Sequence, residues 1–447
     1  MLTKKKLFTN INLINLLISL IPLSLILGNL AININIVLIC LVGIINYRFD
    51  LFRMDKKIYQ YLLCFFFLYL ILITLITNVP LTINYVQKFF PYAENSRDLY
   101  IENIIKSFLF LRFLILFLVV RKLVQNQHFN TKLFYFSSSF FVMAVSIDIV
   151  IQVIYGKNLF GYPLIPGRPS GFFLKELIAG GYIQKFSLFF IFLCVPLINE
   201  KKINLFIFLL SLAFLIPILL TLNRMPLLLY ITSVLAIFIL RKKFKSVFLF
   251  FVIISLIFLS ITKYYPNGRI TKDLKFFYYS SVKIVNTLGN LTINSDPYGR
   301  YNDGTRNHYG RDGHQYLLHF RTAAQLWDQN KIFGSGLKSF KINCTYSAGQ
   351  TCASHPHNYT LEILVDTGLI GLIIIYLILV FAFFDFFKFY RYTSNLNLKL
   401  FSVPFFLIVF LEFFPIRSSG SFFSTHNASV IFLMLAILFG IINLKKN

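Results

Sequence analysis

The chain has 447 residues, of which 57% are hydrophobic and only 13% are charged. This leaves too little polar side chain to cover a soluble globule of that size, so we expect its surroundings to be largely lipid. Lys and Arg outnumber Asp and Glu by 43 to 17, but the basic residues stand mostly at the ends of apolar blocks. That placement is typical of topology signals beside anionic membrane lipid, and no nucleic-acid partner is expected.

Twelve apolar blocks predict membrane-spanning helices, because each has roughly the length that a helix needs to cross ~30 Å of hydrocarbon. In chain order the predicted spans are 11–28, 30–46, 58–77, 102–120, 132–155, 178–198, 204–221, 223–240, 246–262, 359–384, 398–414 and 426–443. The expected fold is therefore an all-α polytopic membrane protein with about 12 transmembrane helices.

Basic residues follow every even-numbered predicted span, as Arg241, Lys242 and Lys243 follow the eighth. The positive-inside rule then places both termini in the cytoplasm and the odd-numbered exits on the outer side. The predicted organisation has helices 1–9 in residues 1–262, a large outer loop at 263–358 between helices 9 and 10, and helices 10–12 in 359–447.

The large outer loop is basic, with twelve Lys and Arg against five Asp. Long loops do not follow the positive-inside rule, so this excess charge indicates an anionic ligand. Within the loop, residues 320–330 predict a helix along the membrane with Phe320, Ala324 and Trp327 on one face. The loop also carries Cys344 and Cys352, for which a short disulfide is one possibility.

A histidine motif, His355-Pro356-His357, stands where the outer loop re-enters the membrane. An imidazole half shielded from water suits a general base or an acceptor for an incoming hydroxyl group. On residue type alone, His357 as an interfacial helix cap is an open alternative. Three other loop histidines, His308, His314 and His319, lack a matched ligand at helical spacing, so no metal site and no cofactor are predicted.

The region from His357 onward, with Asn358, Leu361, Glu362 and then two glycines, resembles the signature of the O-antigen ligase family. Upstream, Arg321 and Trp327 followed by a Phe-Gly-x-Gly segment resemble what precedes that histidine in the family. Further similar segments are Gln152–Gly161, Arg168–Leu177 and Phe414–Phe423.

This resemblance implies a metal-independent, inverting transfer of a polysaccharide from undecaprenyl diphosphate to an acceptor sugar such as lipid A core. It implies a bacterial inner-membrane enzyme with its active site in the periplasm, so that the loop 263–358 is periplasmic. His357 is the expected catalytic residue, and Arg224, Arg321 and Arg168 are the expected diphosphate-binding residues. Guanidinium groups suit this task because their planar forks bind phosphate oxygens in pairs.

Two alternatives stay open. A polymerase that joins lipid-linked repeat units would use nearly the same parts; we favour a ligase because one dominant outer loop leads directly into the histidine motif. A transporter or flippase would also have twelve helices, but we find no internal repeat of the transporter type.

Arg417 is a further outward-facing arginine. The charges Arg112 and Asp148 fall inside predicted spans at similar depth, which predicts an ion pair.

Overall fold

The computed structural model describes residues 2–53, 57–83, 96–165, 168–195, 198–199, 202–264, 271, 311–344, 353–414 and 417–444. Most of the predicted outer loop, including His308 and Cys352, lies outside these residues. The side chain of His314 also lies outside the described part. Cys344 is disulfide-bonded.

The described residues form helices and no strand; the only β contacts among them are two isolated bridges. The helices are α1 Leu2–Ser19, α2 Ile21–Leu27, α3 Asn29–Tyr47, α4 Ile58–Ile83, α5 Ser96–Gln125, α6 Thr131–Tyr155, α7 Ala179–Leu193, α8 Ile203–Leu220, α9 Arg224–Leu240, α10 Phe244–Tyr264, α11 Arg311–Gln329, α12 Ser339–Asn343, α13 Tyr359–Tyr392, α14 Leu396–Glu412 and α15 Thr425–Ile442. The all-α expectation is confirmed for this part of the chain.

Helices occupy all twelve predicted spans, but not all of them are long enough to cross a membrane. Within the described residues, eight helices are long and apolar enough, or nine if the bent pair α1 and α2 is one span. Helices α7, α9 and α14 are shorter, with 15, 17 and 17 residues. The chain is thus a multi-pass membrane protein, and twelve crossings and the position of the loop stay predictions.

The helices belong to two compact units, each assembled from three stretches of chain. The first contains Met1–Asn35, Phe129–Thr292 and Thr393–Leu411, and the second contains Ile36–His128, Ile293–Tyr392 and Glu412–Asn447. These units interleave along the sequence, so they do not follow the predicted division at residues 262 and 358, which stays a prediction.

The first unit is built around the packing of α6 on α7. Phe189 on α7 contacts Phe134 and Tyr135 on α6, with ring centroids 5.2 and 5.1 Å apart. The Tyr135 hydroxyl donates to the carbonyl of Phe401 on α14 at 2.6 Å, so its polar end is satisfied inside the apolar core.

The second unit is built around α15, of which 78% is buried. Phe432 on this helix packs against Phe67 on α4 and Phe113 on α5, with centroids 5.2 and 6.0 Å apart. Gly440 allows α5 to pack closely against α15, because a Cβ at this position would lie 2.5 Å from the side chain of Val124. A central helix this enclosed fixes the positions of α4 and α5 around it.

Helix α13 is broken at Gly368, where φ is 64° and ψ is −166°. A break in apolar surroundings exposes backbone groups that water cannot satisfy. The segment 331–336 supplies their partners: Ser335 and Gly336 donate to the carbonyls of residues 365 and 366, and the N–H groups of residues 369 and 370 donate to the carbonyls of residues 331 and 332. The Tyr69 hydroxyl donates to the carbonyls of residues 333 and 367.

The segment 331–336 can approach the break in α13 because each of the two segments has a glycine at the point of contact. A Cβ on Gly334 would lie 2.4 Å from the nitrogen of Gly368, and a Cβ on Gly368 would lie 2.2 Å from the carbonyl oxygen of Ile332. Both glycines also have positive φ, 80° and 64°. No other residue type combines that conformation with this approach.

We therefore expect Gly334→Ala to destabilise the protein by roughly 2–3 kcal/mol or more, because it adds both strain and overlap at the helix break. The matched control is Gly181→Ala in α7, whose new Cβ would have its nearest neighbour at 3.9 Å. Thermal unfolding of the purified proteins in detergent checks the prediction. Equal unfolding temperatures for the two variants would contradict it.

Candidate active site

The histidine motif is held in place by its backbone at the start of α13. His357 has a left-handed backbone with φ of 57°, and its carbonyl accepts a hydrogen bond from the nitrogen of Ser419 at 2.8 Å. Asn358 caps the helix, because its Oδ1 accepts from the nitrogen of Leu361 at 3.0 Å and its Nδ2 donates to the carbonyl of Arg417. The capping residue is therefore Asn358, which leaves the imidazole of His357 outside the cap.

Three histidine rings cluster at this point. The ring centroid of His357 lies 4.2 Å from that of His355 and 5.2 Å from that of His319 on α11. His319 is almost fully buried, and Ser354 Oγ lies 2.8 Å from His355 Nδ1. In the described part of the chain, no three His, Cys, Asp or Glu residues are arranged to hold a metal ion.

Both histidines of the motif favour the neutral form. Burial, followed by repulsion from His357, lowers the pKa of His355 to about 4. Burial and then repulsion from His319 lower the pKa of His357 below its ordinary value of 6.5. At neutral pH His357 is therefore an uncharged imidazole, which has one ring nitrogen able to accept a proton or a hydrogen bond.

Glu362, one turn after Asn358, is buried and ties α13 to the segment before α15. Its carboxylate accepts hydrogen bonds from Ser421 Oγ at 2.5 Å and from the nitrogen of Phe422 at 2.6 Å. These two hydrogen bonds hold the start of the helix in one position. Its contacts are those of a residue that fixes the helix start.

Arg417, an outward-facing candidate from the sequence, is engaged inside the second unit. Its guanidinium forms a salt bridge with Glu412 at 3.1 Å, and it lies over the ring of Tyr359 at 5.3 Å. The Tyr359 hydroxyl donates to the same carboxylate at 3.1 Å. This buried pairing makes Arg417 a structural residue and leaves the other arginines as anion-binding candidates.

Arg321 lies in the second unit on α11, with its side chain exposed. The helix predicted over residues 320–330 lies within α11. Its buried face is His319, Thr322, Ala323 and Leu326, whereas Ala324 of the predicted membrane face is exposed. The buried period places His319 toward the protein interior, and it is the signal that would have found this residue.

Arg224 and Arg168 lie in the first unit. Arg224 is the first residue of α9, and the partial positive charge of a helix N-terminus favours an anion. Arg168 is half-buried, and its Nε atom has no hydrogen-bond partner among the described residues. Of the four predicted residues, His357 and Arg321 belong to the second unit, and Arg168 and Arg224 belong to the first.

The loop that carries Arg168 is fastened to the end of α6. Gln152 Oε1 accepts from the nitrogens of Ser170 and Gly171 at 3.0 and 2.8 Å. Asp148 accepts from the nitrogen of Leu159 at 2.8 Å, whereas Arg112 donates to the carbonyl of Leu109 and to Thr425 in the second unit. Arg112 and Asp148 thus have hydrogen-bond partners other than each other, whereas the sequence predicted an ion pair between them.

Residues 206–376 match the family model described as O-antigen ligase. The chain therefore carries an O-antigen ligase-like domain. No curated protein matches the chain. The family is one of membrane enzymes that transfer glycans, of ligase or polymerase type, with a lipid-linked glycan and an acceptor as partners.

The O-antigen ligase-like domain contains the histidine motif, Arg224, Arg321 and the break in α13 at Gly368, whereas Arg168 precedes it. It also contains His319 and Lys338, neither of which the sequence indicated as a site residue. Lys338 is the residue before α12, and its charge acts on His355.

We expect the stability of the protein to fall as the pH falls from about 6.5 to about 4. The pKa of His355 is about 4 in the folded protein, so in this range the unfolded chain binds the additional proton. Below about pH 4 this contribution levels off. Unfolding temperatures in detergent should depend less steeply on pH in His355→Asn than in the wild type. His128→Asn, at an exposed histidine, is the control; a His355→Asn profile as steep as the control's would contradict the assignment.

Proposed function

We propose that this protein transfers a polysaccharide from undecaprenyl diphosphate to an acceptor sugar such as lipid A core, in the manner of an O-antigen ligase. The observation that carries the proposal is the position of His357, whose backbone is fixed by Ser419 directly before α13 and inside the O-antigen ligase-like domain. Its lowered pKa favours the neutral imidazole. A fixed acceptor of this kind suits the orientation of an attacking hydroxyl group.

In the proposed reaction the acceptor hydroxyl oxygen attacks the anomeric carbon of the donor glycan from the face opposite the diphosphate. The new glycosidic bond forms as the bond from the anomeric carbon to the diphosphate oxygen breaks. The diphosphate leaves with the electron pair, and the hydroxyl proton passes to the imidazole of His357. The product anomer is inverted.

The leaving diphosphate gains negative charge, which arginine stabilises well because its planar group makes paired hydrogen bonds to phosphate oxygens. Arg224, Arg321 and Arg168 are the residues proposed for this role. The exposed side chain of Arg321, the helix N-terminus at Arg224 and the partnerless Nε of Arg168 support the assignment.

A polymerase that joins lipid-linked repeat units is the second candidate, because the matched family includes both types. We favour the ligase on the single dominant loop before the histidine motif. The match to a family of glycan-transferring enzymes argues against a transporter or flippase.

We expect His357→Asn to reduce glycan transfer by about 10²-fold or more, because it removes the imidazole that assists the attacking hydroxyl. Asn tolerates a left-handed backbone, so the variant should fold. Gln127→Asn is the matched control, since Gln127 has the same conformation, with φ of 59°, at an exposed position. Arg321→Ala should also reduce transfer, through weaker binding of the diphosphate.

The measurement uses purified protein, a lipid-diphosphate-linked glycan and two acceptors, lipid A core and a lipid-linked repeat unit. Transfer to lipid A core that is lost in His357→Asn supports the ligase. Extension on the lipid carrier alone identifies a polymerase. No transfer to either acceptor by the wild type would overturn the proposal.

We further propose that the protein lies in the bacterial inner membrane with both termini in the cytoplasm and the active site in the periplasm. The basic residues that follow every even-numbered predicted span support this orientation.

A membrane-impermeant thiol reagent tests the orientation, because Arg321 and Lys243 are both exposed. In spheroplasts we expect Arg321→Cys to be labelled and Lys243→Cys to be labelled only after the membrane is permeabilised. The reverse pattern would contradict the proposed orientation.

A further inference from the structure

Lys338 has a backbone conformation that would suit glycine better. Its φ is 57°, in the left-handed region, and three successive N–H groups fix the chain there. Leu337 donates to Thr74 Oγ1 at 2.9 Å, while Lys338 and Ser339 donate to the carboxylate of Asp366 at 2.7 and 3.1 Å. A residue with a Cβ is strained in this conformation, and the hydrogen bonds of the three N–H groups hold the lysine in it.

Lys338 is half-buried, and its ammonium group has no hydrogen bond or salt bridge to any residue that the structure describes. Burial, followed by repulsion from Lys106, lowers the pKa of Lys338. A shielded cation without an acceptor is costly, which favours the binding of an anion.

The carboxylates whose charges reach Lys338 are engaged with other groups. Asp366 accepts from the backbone of Lys338 and Ser339 and from Ser339 Oγ, and Glu362 accepts from the segment before α15. Glu102, the third, forms a salt bridge with Lys106. Their charges favour the ammonium form of Lys338, but no residue that the structure describes accepts a hydrogen bond from it, so its donors are open to an anion.

The backbone of Lys338 is hydrogen-bonded to Asp366 on α13, the helix that begins directly after the histidine motif. The positive charge of Lys338 contributes to the lowered pKa of His355, whose ring lies 4.2 Å from the ring of His357. An anion held by Lys338 would thus lie near the imidazole that the proposed reaction uses.

We propose that Lys338 binds a phosphate group of the lipid-linked glycan donor, beside the histidine cluster. This inference rests on the proposed function for the identity of the donor. A lysine ammonium binds phosphate as a compact point charge, and charge on the leaving diphosphate strengthens that contact during the reaction. An anionic phospholipid headgroup offers similar phosphate chemistry, so the experiment must separate the two sources.

The test measures the binding of geranylgeranyl diphosphate to the full-length protein in detergent by titration calorimetry. We expect Lys338→Gly to raise the Kd by about tenfold or more and Lys338→Arg to retain binding. Binding of geranylgeraniol, which lacks the diphosphate, should be the same in all proteins. An unchanged Kd for the diphosphate in Lys338→Gly would overturn the proposal.

Lys242→Gly is the matched control, because Lys242 has the same conformation, with φ of 55°, at an exposed position after α9. Both glycine variants should unfold at the wild-type temperature or higher, since glycine relieves the strain. Only Lys338→Gly should lose diphosphate binding. Equal losses in the two variants would overturn a specific role for Lys338.

Two further arms separate this proposal from its alternatives. Displacement of the diphosphate by equimolar phosphatidylglycerol in nanodiscs would assign the site to a lipid headgroup and overturn the donor assignment. A wild type that binds the diphosphate through Lys338 but transfers no glycan would keep the anion site and overturn the proposed function. Active glycan transfer by Lys338→Gly with the wild-type donor KM would keep the proposed function and overturn the anion site.

Discussion

The second unit depends on the repair of a broken helix. The interruption of α13 at Gly368 leaves carbonyl and N–H groups without helical partners in apolar surroundings, where each unsatisfied group costs several kcal/mol. The segment 331–336 satisfies them on both sides of the break. Because that segment connects α11 to α12, this one set of backbone hydrogen bonds also positions His319, Lys338 and the first turns of α13.

The chemistry around the break divides between groups that hold the fold and groups available to a ligand. Glu362, Asp366, Glu412 and Arg417 are all engaged in hydrogen bonds or salt bridges within the second unit. Burial keeps His355 and His357 neutral, and Lys338 is a half-buried cation without an acceptor in the described chain. A neutral acceptor for the attacking hydroxyl group and a cation for the leaving diphosphate suit the proposed transfer.

In the first unit, polar side chains of a membrane helix hold a loop in place. Gln152 and Asp148 on α6 bind backbone N–H groups of the loop that carries Arg168. The hydrogen bonds that each side chain accepts offset part of the cost of burying it. An arginine on a loop fastened in this way is better preorganised for an anion than one on a loose segment.

The sequence by itself determined the helical class, the position of each long apolar helix and the histidine at the start of α13. Those features follow from local properties: the length of apolar blocks, the charges at their ends and a short motif. Periodicity alone did not select the buried face of α11, because the sets starting at His319 and at Phe320 fit the same helical repeat.

Only the tertiary structure decided the groups that meet across distant parts of the chain. Gly368 belongs to a continuous apolar block, and nothing in that block shows that the segment around Gly334 repairs a break there. The pairing of Arg417 with Glu412 and the isolation of the Lys338 ammonium likewise depend on how loops fold back on helices. Sequence patterns report how a segment meets its solvent, whereas hydrogen-bond partners remote in sequence are fixed by packing.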